Sequence, residues 1–240
     1  MLKYLIRLKE FLFFSRLLSI LKPFSNIFHT LYYFNRLTTF IHQHKNNLLI
    51  NDFYVSHRDY NKRYNLYETI GKMYHKNTSA IVYLEFGVAA AKSFKWWLAY
   101  NQINDSKFHG FDTFEGLPEN WGNFYTKGDL AHGLPQIDDT RANFYKGLFQ
   151  DTLPNFIEQH KAELNQPKII HLDADLYTAT LFVLMQLFPY LKKGDLIFFD
   201  EFSVPTHEFK AFDEFTQTCY IKLKPIGAVN NFYQTAFIVE

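Results

Sequence analysis

Residues 167–202, PKIIHLDADLYTATLFVLMQLFPYLKKGDLIFFDEF, decide the fold. PKIIHLDA (167–174) reads as a buried strand, TATLFVLMQLFPYL (178–191) as a strongly apolar helix and DLIFFDEF (195–202) as another buried strand. Two all-apolar strands joined by a helix make a parallel βαβ unit, because only a strand covered on both faces can dispense with alternation. Acids follow the apolar core of each strand: Asp173 with Asp175, and Asp200 with Glu201.

The same rhythm continues outward. Upstream lie a helix over 64–76, strands at 80–88 (AIVYLEFGV), 107–113 and 142–149, and helices at 89–102 and 153–164. Downstream come a helix with an acidic face, THEFKAFDEFTQ (206–217), and two strands, 221–227 and 232–239, turned at Asn230-Asn231. The expectation is an α/β domain over 64–240 with a Rossmann-like, seven-stranded, mostly parallel sheet, an antiparallel C-terminal strand and helices on both faces. Residues 114–141 interrupt the pattern with turn-forming residues. A stretch of that length after the second strand is expected to form a lid-like loop over the carboxyl edge of the sheet.

Residues 1–63 differ in character and are expected to form a basic, aromatic-rich helical extension. Residues 2–21 carry Leu, Ile and Phe at helical spacing, Pro23 is expected to end or kink that helix, and a second helix spans roughly 26–43. The first 50 residues hold seven Lys and Arg against the single Glu10, while the rest of the chain carries 18 basic and 23 acidic residues. Two readings stand side by side. In one, the extension packs on the domain or on a second subunit, which would make a homo-oligomer. In the other, residues 1–45 lie on the inner face of an anionic membrane. Packing is preferred, because apolar helix stripes are usually core.

Composition sets further bounds. A net charge of +1 argues against nucleic-acid binding. The single Cys219 excludes an intrachain disulfide framework, fits a cytoplasmic location and is read as structural. No uncharged stretch reaches the roughly 18–20 residues of a membrane span, and no secretory signal is expected.

In an open α/β sheet, ligands bind beyond the carboxyl ends of the strands. The acids expected there are Glu85, Asp112, Asp173, Asp175, Asp200 and Glu201. Gly87, followed by small residues, permits close backbone approach at a helix start. Asp112 stands where a carboxylate would accept the hydroxyls of a ribose. A nicotinamide dinucleotide and S-adenosylmethionine both suit this much, but the glycine fingerprint for a pyrophosphate is absent, which favours the phosphate-free cofactor. Asp173, Asp200 and Glu201 sit on neighbouring strands and could share a hard cation such as Mg²⁺; helix capping is the competing reading. His171 is expected to be a satisfied core histidine. His132 and His207 are placed in loops near the site, and Trp121, Phe124 and Tyr125 either stack on a sugar or form the lid's own core.

YLEFGVAAAKS, GFDTFEGLPE, YKGLFQDTLP, IIHLDADLY and GDLIFFDEF, in this order and spacing, resemble the macrocin O-methyltransferase family of metal-dependent sugar O-methyltransferases over roughly residues 65–240. The resemblance implies a class I, S-adenosylmethionine-dependent O-methyltransferase acting on a sugar or glycan-type acceptor. It implies cofactor contacts at Glu85, Gly87, Ser93, Asp112, Phe149, Gln150 and Asp151. It implies Mg²⁺ or a similar cation at Asp173, Asp200 and Glu201, with Asp173 also the candidate base. Two positions depart from the family pattern: alanine stands for glycine around Ala90–Ala91, and Glu201 for an Asp. The competing readings are an NAD(P)-dependent oxidoreductase or epimerase and a non-catalytic, membrane-associated binding protein.

Overall fold

The structure is a computed structural model that describes residues 1–117 and 125–240. Among the described residues, eight strands form one sheet: β1 (Ile50–Asn51), β2 (Val82–Phe86), β3 (Lys107–Asp112), β4 (Ala142–Lys146), β5 (Lys168–Leu172), β6 (Leu196–Phe199), β7 (Leu223–Val229) and β8 (Gln234–Val239). Their order across the sheet is β1-β7-β8-β6-β5-β2-β3-β4. Only β8 runs against its neighbours, β6 and β7. The seven expected strands are all present, and the extension adds an eighth by pairing Ile50 and Asn51 with Gly227 and Ala228.

Alternation along the strands divides the core into two layers. Val82, Leu84 and Phe86 face one way and pack with α5 (Phe149–Gln159), α6 (Tyr177–Leu187) and α7 (Glu208–Cys219). Tyr83, with Ile81 before the strand, faces the other way and packs with α3 (Lys62–Met73) and α4 (Lys92–Tyr100). The strand expected over 142–149 ends at Lys146, because Gly147 takes a φ of 143° and Phe149 already begins α5. That early helix start brings Phe149 and Gln150 to the sheet edge.

The extension divides in two. Within α2 (Ser25–His44), Tyr33, Leu37 and Ile41 are buried in the main core, and Phe40 packs among Phe202, Phe209, Phe212 and Phe237. Arg36 grips Asp213 with two bonds of 2.6 and 2.7 Å, and Tyr33 donates to Glu214 at 2.6 Å. In contrast, no residue before Tyr33 is buried. The first helix, α1 (Leu2–Ser15), stops where Arg16 turns left-handed at φ 52°; Pro23 lies further on, inside the 3-10 segment Leu17–Phe24.

Candidate functional site

The carboxyl ends of β2, β3, β5 and β6 meet at one cavity of about 520 Å³, within the usual size of a small-molecule site. Two halves line it. Gly87, Ala89, Asp112, Phe149 and Gln150 form one, and Arg63, Asp173, Asp175, Asp200, Glu201 and Tyr233 form the other.

In the first half, Gly87 has a φ of 92°, and a Cβ there would sit 1.8 Å from the carbonyl oxygen of Asp173. Only glycine lets β2 and β5 close this tightly. The following loop takes left-handed φ at Ala89 and Ala91, beside the place where glycine would be expected. Asp112 Oδ2 accepts the Val88 and Ala89 N–H groups at 2.8 Å each, and Oδ1 accepts the Phe114 N–H at 2.7 Å. A carboxylate offers about four acceptor sites. Asp112 therefore holds both flanking loops in place and keeps capacity for about one ligand hydroxyl rather than the two expected.

Three residues expected at the cofactor do not line the cavity. Glu85 follows the strand's alternation into the α3–α4 layer, where it accepts Tyr83 Oη–H at 2.6 Å; burial raises its pKa well above the usual range. Ser93 is buried 3.2 Å from Tyr67 Oη. Asp151 is exposed in the first turn of α5. His171 is the core residue expected, with Nδ1 2.9 Å from Tyr83 Oη and Nε2 3.3 Å from Tyr67 Oη. His132 and Tyr125 line the cavity, and His207 does not. Trp121 and Phe124 lie outside the described residues.

The second half concentrates acid. Asp173, Asp175 and Glu201 each place a carboxylate oxygen within 4.8 Å of the others. Asp200 is drawn aside: its Oδ2 lies 3.1 Å from the Arg63 guanidinium and 3.5 Å from Gln234 Nε2. The converging set is thus Asp173, Asp175 and Glu201 rather than Asp173, Asp200 and Glu201. Glu208 completes the cluster, with Oε2 accepting the Glu201 N–H at 2.9 Å. Burial, reinforced by their mutual repulsion, raises the pKa values of Asp173, Glu201 and Glu208 and pushes Asp175 up to about 7. Burial opposes the charge on Arg63, but Asp200 and the nearby Tyr67 and Asp173 hold its pKa above the usual value.

Among the described residues, Asp200 Oδ1, Glu201 Oε2 and Glu208 Oε1 are buried without a hydrogen bond; His171 Nε2, at 3.9 Å from Asp200 Oδ1, is out of reach. Orphaned carboxylate oxygens in excess over one arginine suit a hard cation bound by oxygen.

Arg63 and Glu208 were not anticipated, though both leave a trace in the sequence. Arg63 shares a helical stripe with buried Leu66, Tyr67 and Ile70, and Glu208 one with buried Ala211, Phe212 and Phe215. A charge on an apolar stripe needs a partner inside.

Residues 131–235 match the family model described as macrocin-O-methyltransferase (TylF). An 8-demethyl-8-(2,3-dimethoxy-alpha-L-rhamnosyl)-tetracenomycin-C 4'-O-methyltransferase of Streptomyces olivaceus is 30% identical over 112 residues, covering 39% of this chain and 41% of that one. The match thus spans less than half the length of that relative. The fold is similar to the calicheamicin methyltransferase CalS11 (TM-score 0.61, 18% identity, 86% of this chain and 91% of that one). It is also similar to the O-methyltransferase NovP (TM-score 0.55, 20% identity, 74% and 79%). The matched residues 131–235 contain the whole acid cluster, and over that stretch the chain is similar to the macrocin O-methyltransferases.

Proposed function

We propose that the protein is an S-adenosylmethionine-dependent O-methyltransferase that methylates a hydroxyl of a sugar or glycan-type acceptor with the help of a divalent cation. The carrying observation is a cavity with two chemically different ends, one built on Gly87 and Asp112 and the other on buried carboxylates. Gly87, Asp112, Phe149 and Gln150 would hold the methyl donor, and Asp173, Asp175 and Glu201 the cation. The donor supplies an electrophilic methyl group, and the cation lowers the pKa of an acceptor hydroxyl.

The chain's own residues then position and deprotonate. The Asp112 carboxylate fixes the loop after β2, so the donor end is formed before ligand arrives. Asp173 and Asp175 lie at the cavity wall, where either could take the proton of an acceptor hydroxyl. Arg63 neutralises Asp200, leaving the remaining acids for cation and proton. Calorimetric titration with S-adenosylhomocysteine and with NAD tests the donor; binding of NAD alone would support an oxidoreductase instead. Activity that persists in EDTA would remove the cation.

We infer further that the arm before Tyr33 rests on an anionic membrane surface, which would put the enzyme at the cytoplasmic face. Its support is exposure combined with charge. Leu2 and Ile20 are each 72% exposed and Phe14 89%, among Lys3, Arg7, Lys9, Arg16 and Lys22. Among the described residues no single helix is long and apolar enough to cross a membrane, although Leu2–Ser15 and Leu17–His44, bent by 72°, would be as a pair by length and composition. Flotation with phosphatidylserine vesicles that is lost on deleting residues 1–32 is the expected result. Failure to float, with the full chain sedimenting as a dimer through the same residues, would assign the arm to a second subunit.

A further inference from the structure

Away from the cavity, beneath α5, three side chains that the proposed reaction does not use converge. His109 lies in the middle of β3, His160 caps the end of α5, and Glu163 opens the short 3-10 turn Glu163–Asn165. His109 Nε2 lies 3.0 Å from Glu163 Oε2, and His160 Nδ1 lies 3.0 Å from Glu163 Oε1. One ligand atom from each residue falls within 4.8 Å of the other two. We propose that His109, His160 and Glu163 form a binding site for a zinc-type divalent cation that ties β3 to the end of α5.

Donor chemistry separates this site from the acid cluster. Two imidazoles and a carboxylate suit zinc, whereas an oxygen-only set suits Mg²⁺. Ligand atoms about 2.0–2.2 Å from a tetrahedral zinc lie roughly 3.3 Å from one another; here each imidazole nitrogen lies 3.0 Å from one Glu163 oxygen, and one ligand atom from each residue lies within 4.8 Å of the others. His109 is buried, while the side chains of His160 and Glu163 are 25% and 28% exposed, which leaves a fourth position open to water.

The hydroxyl beside the two rings accommodates the bound form. Both far nitrogens meet one hydroxyl: Tyr145 Oη lies 3.1 Å from His109 Nδ1 and 3.5 Å from His160 Nε2. Without a cation, each neutral ring gives its N–H to ionised Glu163 and turns a bare nitrogen to Tyr145. The single phenolic proton serves one of them. With a cation on Nε2 of His109 and Nδ1 of His160, the far nitrogens carry the protons, and the two lone pairs of Tyr145 Oη accept both. Phe156 stacks on the His160 ring at 4.6 Å and fixes its orientation. The site would anchor α5, whose first residues line the cavity, to the strand that ends in Asp112.

The test uses the full chain, stripped of metal and resupplied with excess Mg²⁺ to fill the acid cluster. Zn²⁺ is then titrated against a chromophoric chelator. The wild-type protein should take one equivalent. His160→Ala, at a part-exposed helix end, should weaken uptake by more than about 100-fold, Tyr145→Phe by about tenfold, and Asp173→Asn not at all. No uptake by the wild type, or equal uptake by wild type and His160→Ala, would overturn the proposal.

Discussion

The two ends of the cavity bury carboxylates in opposite ways. Asp112 is held by three short backbone bonds and keeps capacity for about one ligand hydroxyl. Across the cavity, among the described residues, Asp173, Asp175, Asp200, Glu201 and Glu208 share one arginine, and three of their buried oxygens make no hydrogen bond. One end is a framework and the other is a charge imbalance held inside the fold. The first acid therefore supports the structure around it, whereas acids of the second kind cost stability while they stay buried without compensating charge.

The largest expected effect comes from separating activity and stability at the acid cluster. Asp173→Asn removes a candidate base and cation ligand, and turnover should fall by about 10²- to 10⁴-fold. Because it also removes a buried charge, the metal-free variant should melt no lower than wild type. A clear loss of stability would mean that Asp173 belongs to the framework. Asp112→Ala should behave in the opposite way. Losing three charge-assisted bonds should cost about 2–4 kcal/mol in denaturant unfolding, together with donor binding.

Next in size is the response to pH. Asp175 has its folded-state pKa raised to about 7, by burial first and then by Asp200 and Asp112. A raised carboxylate leaves its stabilising contribution intact below the ordinary carboxylate range and loses it as pH climbs towards that value. Metal-free protein should therefore lose melting temperature from about pH 4 to 7, and Mg²⁺ should flatten the slope; a rise over this range would contradict the account. Smallest is Tyr233→Phe. Removing its 3.3 Å bond to Glu201 should cost roughly 0.5–1 kcal/mol and leave donor affinity unchanged.

Much of this contrast was legible in the chain itself. Continuous apolar runs such as Ile169–Leu172 and Leu196–Phe199 announce parallel strands, and the acids after them announce the edge where ligands bind. What was not legible depends on side-chain direction and on distant partners. Glu85 was expected at the cofactor, but strand alternation turns it into the core to meet Tyr83. Asp200 was expected among the cation ligands, but Arg63 arrives from a helix more than 130 positions earlier and draws it aside. The strand at Ile50–Asn51 is too short to carry an alternation signal and exists because β7 offers it an edge.

The most direct test of the contrast between the framework end and the acid end is calorimetric titration of S-adenosylhomocysteine into three metal-free proteins. Wild type and Asp173→Asn should bind one equivalent with the same affinity, and Asp112→Ala should bind none. Undiminished binding to Asp112→Ala, or no binding to the wild type, would contradict the account.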